Sequence, residues 1–221
     1  MSNSLTLAEE NYLKAIYHLE QQSVKGVSTN AIAKLLETKA SSVTDMIKKL
    51  SEKNYVNYKK YQGTQLTKQG KKIAVGIIRK HRLWEVFLVE HLNFSWDEVH
   101  EVAEQLEHIK SEKLIDELDK FLNYPSNDPH GDPIPDKDGK FNNIDRITLS
   151  QAMIGKSYKC VGVEDTSSSF LQYLDSNKIG LGTIIKILHK EPFDNSLKIK
   201  LHKSDIVVSK NVAKNLFIKA L

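Results

Sequence analysis

The chain has 221 residues, of which 40% are hydrophobic and 27% charged, a composition typical of a soluble globular protein with one large domain or a few small ones. No apolar run approaches the roughly 20 residues that a membrane-spanning helix needs, and the N-terminus lacks a signal-peptide pattern. The single cysteine, Cys160, excludes an intrachain disulfide and fits a reducing compartment. We therefore expect a cytoplasmic protein, with no membrane partner, in which Cys160 is a buried apolar residue.

Charge is distributed unevenly along the chain. Residues 1–73 contain 12 Lys/Arg and 6 Asp/Glu, a net charge of +6. Residues 74–150 contain 9 and 16, a net charge of −7, and residues 151–221 contain 11 and 6, a net charge of +5. A basic first third before an acidic middle is typical of a nucleic-acid reader coupled to a cation sensor, although ordinary surface variation produces the same division.

The first third of the chain predicts a winged helix-turn-helix. Apolar periodicity predicts a helix over residues 5–21, a second helix capped by Ser28, and a third over residues 41–50. Strand-like runs at residues 55–58 and 64–67 flank a basic turn, which we interpret as the wing. Hydroxyl groups at a helix start can reach bases or phosphates, and lysines add charge attraction. The predicted DNA-binding residues are Ser28, Thr38, Lys39, Ser41, Ser42, Thr44, Lys48, Lys59 and Lys60.

A long helix is predicted next, over residues 68–91, with Thr67 as its cap. Its apolar residues are more numerous than one buried face requires, which suggests packing against a second subunit and hence a homodimer. It also carries His81 and Glu85, one helical turn apart.

The following helix carries a denser set of ligand types. Ser95 and Glu98 form a capping box, so we predict a helix over residues 97–108. At about 100° per residue, four side chains share one arc opposite the apolar face: His100, Glu104, Glu107 and His108. Imidazole and carboxylate ligands without thiolate suit Mn(II) or Fe(II) better than structural zinc. The alternative is a solvated charged face that binds no metal.

The remainder of the chain predicts a proline-rich linker over residues 124–150 and a small β-barrel over residues 151–221. The predicted strands are 157–163, 182–189, 197–201 and 205–209, with a helical turn near residues 170–174. His130 lies in the linker between Asp128 and Asp132, and we do not expect these three residues to bind metal. No catalytic triad or nucleotide-binding glycine motif is present, so we do not expect an enzyme.

Four segments of the chain match a known family: Glu10–Tyr17 (ENYLKAIY), Arg79–Glu85 (RKHRLWE), Glu104–His108 (EQLEH) and Asp128–Pro135 (DPHGDPIP). On these residues the sequence resembles the diphtheria-toxin-repressor family of metal-dependent transcription repressors, including its manganese-responsive branch. The resemblance covers essentially the whole chain. It implies an α+β, mainly α, fold with four parts: an N-terminal winged helix-turn-helix (1–73), a helical metal-binding and dimerisation domain (74–123), a linker (124–150) and a C-terminal SH3-like (FeoA-like) β-barrel (151–221).

The resemblance also implies two metal positions per subunit. The ancillary position would be formed by His81, Glu85 and His100, and the primary position by Asn11, Glu104, Glu107 and His108. Glu104 stands where iron-type members have cysteine, which favours Mn(II), with Fe(II) second. Asn11 stands where members have methionine or aspartate, and Lys14 stands where manganese-type members have a further carboxylate.

The function that the resemblance implies is metal-activated repression. A homodimer would bind a palindromic operator in double-stranded DNA when Mn(II) or Fe(II) is bound, and would control metal uptake and homeostasis. A metal joining Asn11 to the later ligands would set the spacing of the two recognition helices at about one DNA turn, roughly 34 Å. Two alternatives remain open at this point: a winged-helix regulator with a non-metal ligand, and a metal-dependent hydrolase.

Overall fold

The computed structural model describes residues 5–22, 26–59, 63–142, 145–202 and 204–221. The chain divides into two compact units. The first contains Met1–His81, Glu104–Ile115 and Pro135–Phe141, and the second contains Arg82–Ala103, Asp116–Ile134 and Asn142–Leu221. Within the described ranges, no helix combines the length and apolar character needed to cross a membrane.

The first unit contains the predicted winged helix-turn-helix. Its elements are α1 (Leu7–Gln22), α2 (Thr29–Leu35), α3 (Ala40–Glu52), β1 (Val56–Lys59) and β2 (Gly63–Leu66). The two strands are antiparallel, with Val56 opposite Leu66 and Lys59 opposite Gly63, so the strands of the predicted wing are confirmed, while residues 60–62 of its predicted turn lie outside the described residues. Fully buried side chains from all three helices form the core: Leu13, Ile16, Ile32, Val43, Ile47 and Leu50.

A charged residue fixes the start of α1 in this unit. The backbone N–H of Thr6 donates to the carboxylate of Glu9 at 2.9 Å, and the N–H of Glu9 donates to the Thr6 hydroxyl at 3.3 Å, which together form a capping box. The buried Glu9 carboxylate also accepts from Nζ of Lys53 at 2.6 Å. Because Lys53 directly follows α3, this ion pair ties the beginning of α1 to the end of α3.

Three helices form the acidic middle of the chain: α4 (Lys68–Leu92), α5 (Val99–Leu106) and α6 (Glu112–Phe121). The predicted Thr67 cap is present, since its hydroxyl accepts from the N–H of Gly70 at 3.1 Å. The contact between Ser95 and Glu98 also forms, at 2.7 Å between hydroxyl and carboxylate, yet α5 begins only after it.

The prediction of one ligand arc along α5 is wrong. The helix ends at Leu106, so Glu107 and His108 lie in the turn that follows it. Glu107 is completely buried, whereas His100 and Glu104 are exposed. The physical reason is that the arc requires 3.6-residue periodicity through residue 108, and the backbone loses that periodicity two residues earlier.

The second unit contains a six-stranded antiparallel sheet in the order β3-β8-β4-β5-β6-β7. Its elements are β3 (Ile147–Thr148), β4 (Ser157–Val163), α7 (Ser168–Ser176), β5 (Ile184–Lys190), β6 (Leu197–Leu201), β7 (Ser204–Val208), α8 (Lys210–Lys214) and β8 (Leu216–Ala220). The four predicted strands and the helical turn are all present, and β3 and β8 are additional. Among the strands that the structure describes, β3 and β7 stand at the two ends of the order, so the sheet is open where the prediction had a closed barrel.

Close contacts within the second unit fix the backbone conformation of the first part of the predicted linker. Gly131 has a φ of +89°, and a Cβ atom there would lie 2.1 Å from the carbonyl oxygen of Val161, so only glycine fits. The guanidinium of Arg82 donates to the carbonyl oxygen of Pro133 and contacts the Asp132 carboxylate at 3.2 Å. These contacts give the segment around Asp128 and His130 a defined conformation although it contains no helix or strand.

Candidate metal centres and DNA-binding surface

Side chains of α1 meet those that follow α5 in the first unit. Nζ of Lys14 lies 2.6 Å from Oε1 and 2.8 Å from Oε2 of Glu107, and 3.3 Å from Oε1 of Glu104. Nδ1 of His108 lies 2.6 Å from Oε2 of Glu10, with both side chains nearly buried. We call this group the first cluster; it comprises Glu10, Asn11, Lys14, His81, Glu104, Glu107 and His108.

Glu107 is the most buried carboxylate of the first cluster. Its Oε2 atom lies 2.6 Å from Nδ1 of His81, in addition to the two contacts with Lys14. Burial opposes ionisation, but the hydrogen bond from His81 and the positive charge of Lys14 outweigh it and lower the pKa of Glu107. The side chain therefore holds a negative charge in a position that water does not reach.

The donor atoms of the first cluster suit a hard divalent ion. Oδ1 of Asn11 is buried and has no hydrogen-bond partner among the residues that the structure describes, so an amide oxygen is available in the position where the family resemblance expects a ligand. Glu104, Glu107 and His108 add carboxylate oxygen and imidazole nitrogen, the ligand types that Mn(II) and Fe(II) accept. Glu10 was not among the predicted ligands, and its contact with His108 is a tertiary one between residues 98 positions apart.

A second group of ligand types lies in the second unit. Glu85, Asp128 and His130 are all buried, and one ligand atom of each lies within 4.8 Å of the others. We call this group the second cluster. Nε2 of His130 lies 2.8 Å from the carbonyl oxygen of Trp96, while Nδ1 lies 3.7 Å from Oε2 of Glu85. A ring N–H directed to a carbonyl leaves the other nitrogen free to bind a metal, an arrangement common in metal sites.

Two residues of the second cluster, Asp128 and His130, have raised pKa values. Burial, followed by the negative charges of Glu85 and Asp132, raises the pKa of Asp128 to about 7, although Arg82 lies 3.4 Å away. Burial opposes protonation of His130, but the nearby carboxylates of Glu85 and Asp128 raise the pKa of the imidazole. A divalent cation bound among these buried carboxylates would reduce the repulsion between their negative charges.

The predicted ancillary ligands are located in different units. His81 belongs to the first unit and contacts Glu107, whereas Glu85 and His100 belong to the second, where Nδ1 of His100 lies 3.5 Å from Oε1 of Glu85. Asp128 and His130 were expected not to bind metal, yet each offers a ligand atom within 4.8 Å of one of Glu85. The sequence shows both residues beside the Gly131 turn but shows no sign of their contact with α4.

The described members of the predicted DNA-binding set lie at the N-cap of α2, in the turn before α3, on α3 and on β1 of the first unit. The Ser28 hydroxyl caps α2 by accepting from the N–H of Ala31 at 3.1 Å, and the Thr44 hydroxyl donates to the carbonyl oxygen of Ala40 at 2.9 Å. Helix α3 starts one residue before the predicted start, with Lys39 as its N-cap. The exposed members of the predicted set are Ser28, Lys39, Ser41, Ser42, Lys48 and Lys59, while Thr38 and Thr44 are half-buried and Lys60 lies outside the described residues.

Comparisons with known domain families match nearly the whole chain. Residues 4–64 match the N-terminal DNA-binding domain of iron-dependent repressors, and residues 67–136 match the metal-binding and dimerisation domain of the same proteins. Residues 147–220 match the FeoA domain.

Individual relatives are similar over the same regions. The chain is 35% identical over 133 residues to the iron-dependent repressor IdeR of Mycobacterium leprae, a match covering 60% of this chain and 57% of that protein. It is 36% identical over 124 residues to the transcriptional regulator MntR of Oceanobacillus iheyensis, covering 56% of this chain and 82% of that protein. The chain thus spans less than two thirds of the length of the mycobacterial relatives it matches.

A solved structure matches more of the chain. The manganese-dependent transcriptional repressor in complex with manganese is 30% identical, and the match covers 96% of this chain and all of that one with a TM-score of 0.86. The likeness therefore includes the DNA-binding, helical and C-terminal regions together.

Proposed function

The chain belongs to the diphtheria-toxin-repressor family of transcriptional regulators, and from this premise we propose that it is a metal-dependent repressor of genes for metal uptake and homeostasis. In this proposal a homodimer binds a palindromic operator in double-stranded DNA after a divalent ion binds, with Mn(II) favoured and Fe(II) second. The observation that carries the proposal is the first cluster, in which polar groups of α1 and of the residues after α5 converge.

The first cluster would act by joining two parts of the polypeptide. Asn11 lies on the first helix of the DNA-binding segment, whereas Glu107 and His108 lie in the metal-binding segment. A bound ion would supply the positive charge that holds these ligands together. Because the ligands restrain α1, they would favour one spacing of the two recognition helices, about 34 Å in a dimer that reads successive major grooves. By linkage, operator DNA would strengthen metal binding by the same factor.

We propose that Glu85 is the central ligand of a second metal position, so that each subunit has two metal positions. The predicted ligands His81 and His100 remain part of this proposal. The geometry adds Asp128 and His130 as ligands of the ion that Glu85 would bind. The set combines two carboxylates with three imidazoles and contains no thiolate, which supports Mn(II) or Fe(II) over a structural zinc ion.

The DNA-reading surface in this proposal is α3 with the wing. The hydroxyl groups of Ser41 and Ser42 lie in the first turn of α3 and are exposed, the position from which a recognition helix contacts bases or phosphates. Lys48 and Lys59 would attract the phosphate backbone without reading sequence.

Exposed apolar residues in the second unit support a homodimer. Leu92 at the end of α4 is 51% exposed, and Phe121 at the end of α6 is 62% exposed. The Phe121 ring contacts His91 and Phe87 of α4, with ring centroids 4.8 and 6.0 Å apart. Large apolar side chains that remain exposed on packed helices commonly mark a protein–protein interface.

The competing functions are a winged-helix regulator with a non-metal ligand and a metal-dependent hydrolase. The family consists of repressors, which supports a non-enzymatic role, and a DNA partner together with a single buried cysteine supports action in the cytoplasm. The division into domains at residues 73, 123 and 150 stays a part of the proposal, as do the individual site residues.

A metal titration of DNA binding tests the proposal. Operator fragments would first be selected from a random DNA library by the Mn(II)-treated protein, and gel retardation would then be measured across Mn(II) concentrations and after adding a chelator. We expect retardation that depends on Mn(II) and is reversed by chelation. Retardation that is independent of every divalent ion would support the regulator with a non-metal ligand, and turnover of a phosphoester without DNA binding would support the hydrolase.

A further inference from the structure

We propose that Lys14 is a tethered cation in the first cluster, and that it must leave Glu107 before a divalent ion can bind there. This inference rests on the proposed function, because it concerns the metal response of the same cluster. It assigns a regulatory role to a side chain that the ligand set does not include.

The position of the Lys14 ammonium carries the proposal. Nζ contacts both oxygens of Glu107, at 2.6 and 2.8 Å, and one oxygen of Glu104 at 3.3 Å. Contacts from one cation to both oxygens of a carboxylate and to a second carboxylate describe the place that a metal would take between these two predicted ligands. The Lys14 side chain is 14% exposed and the Glu107 side chain is fully buried, so the pair is shielded from water.

Charge balance explains why the ammonium stays there. A buried carboxylate without a positive partner is strongly unfavourable, and Glu107 has Lys14 and His81 as its partners. The first-helix ligand position holds Asn11, a neutral amide, so Lys14 is the charged group that α1 contributes next to Glu107. Through Lys14, an ion pair between the chain's own groups links α1 to the residues after α5.

Two consequences follow for metal binding. An ion that binds Glu107 competes with an ammonium held at high local concentration, which weakens its apparent affinity. Once displaced, the Lys14 side chain would move towards solvent, because two cations a few ångströms apart repel each other. The site would thus respond only at a higher metal concentration than a cluster without the lysine.

Mn(II) binding to matched variants tests the proposal. Glu85→Gln removes the proposed central ligand of the second position, and Lys14→Met and Lys198→Met are each added to it. Lys198 pairs with Asp205 at 3.5 Å on the surface of the second unit, which makes it a control for loss of a lysine ion pair. Free Mn(II) is measured by its electron paramagnetic resonance signal. We expect Lys14→Met to bind Mn(II) at least tenfold more tightly than the Glu85→Gln parent, and Lys198→Met to match that parent.

A second variant, which keeps the hydrogen bonds to Glu107, controls for an effect of the substitution on folding. Lys14→Gln retains N–H donors towards Glu107 without the charge, and we expect the same direction of change in a protein whose circular dichroism matches the parent. Equal Mn(II) affinity with and without the lysine, or no binding in either protein, would overturn the proposal. Equal affinity leaves the proposed function intact, whereas absence of binding in both proteins would also count against the first cluster as a metal site. Metal-dependent retardation of operator DNA by the unaltered chain tests the proposed function separately.

Amine labelling of the unaltered chain distinguishes displacement of Lys14 by Mn(II) from a purely structural role of this side chain. If Mn(II) displaces Lys14, its reaction with an acylating reagent should rise severalfold when Mn(II) is added, while that of Lys198 should not change. Mass spectrometry quantifies both sites in one sample. Labelling of Lys14 that stays constant or falls at saturating Mn(II) contradicts displacement.

Discussion

The Nδ1 atom of His81 lies 2.6 Å from Oε2 of Glu107, although 26 residues separate them in the chain. This contact brings α4 and the turn after α5 together inside the first unit. It also places the imidazole against a fully buried carboxylate that Lys14 of α1 contacts as well. Glu107 therefore joins three separate segments, which makes it the most informative residue to change.

Replacing Glu107 with Gln should abolish metal-dependent operator binding without dissociating the dimer. The amide keeps the shape of the side chain but removes the charge that a divalent ion requires. Gel retardation across Mn(II) concentrations measures the effect, and gel filtration with circular dichroism checks assembly and folding. We expect at least a hundredfold loss of DNA affinity at saturating Mn(II).

Glu101→Gln is the matched control, because Glu101 lies on α5 and is exposed. It should retain the metal response of the unaltered chain. A Glu107→Gln protein that still retards operator DNA only when Mn(II) is present would show that the site has been assigned to the wrong residues.

Replacing His130 with Ala should remove one Mn(II) equivalent per chain. The ring lies between the Trp96 carbonyl oxygen and the Glu85 carboxylate, so its loss leaves the buried carboxylates of Glu85 and Asp128 to repel each other. Mn(II) stoichiometry from the free-ion resonance signal measures the change. The control variant is His189→Ala, because His189 is 59% exposed in the second unit. An unchanged Mn(II) stoichiometry in His130→Ala would show that the second cluster does not bind metal.

Local patterns in the sequence predicted elements well and tertiary contacts poorly. The strands at 157–163 and 197–201 were placed to the residue, because their alternation is set by neighbours within each strand. Strand β8 was missed although Leu216 and Ile218 alternate with more exposed residues, since five residues at the end of the chain give a weak signal.

The candidate sites show the same division between local and distant information. His81, Glu85 and His100 were recognised from spacing and resemblance, but the contacts of Asp128 and His130 with Glu85 join residues more than 40 positions apart. Such contacts depend on how α4 packs against an irregular segment, which no periodic pattern encodes. Sequence alone showed that Lys14 departs from the family, whereas its contact with Glu107 required the structure.

Cys160 should be inert to thiol reagents in the native protein. Burial raises the pKa of the thiol to about 11, so at pH 8 only about one thiol in a thousand carries the reactive negative charge. Reaction with a chromogenic disulfide should be at least a hundredfold slower than in the same protein unfolded by guanidinium. Rapid labelling of the folded protein would contradict the packing role of this residue and would reopen it as a redox or metal-binding group.

Replacing Lys59 with Gln should weaken binding to every DNA sequence by a similar factor. Lys59 is exposed at the end of β1, opposite Gly63, and in our proposal it contacts phosphate and not base edges. Each phosphate contact releases counterions, so losing one should reduce the slope of log affinity against log salt concentration by about 1. Fluorescence anisotropy with operator and random DNA at several salt concentrations measures both quantities.

The control for this experiment is Lys159→Gln, which removes an exposed lysine from β4 in the second unit and leaves the wing intact. It lowers the net charge by the same amount, so any difference between the two variants reports position and not total charge. We expect Lys159→Gln to keep the salt slope of the unaltered chain. A loss in Lys59→Gln that is confined to the operator, with an unchanged slope, would mean that the wing reads sequence and does not contact phosphate.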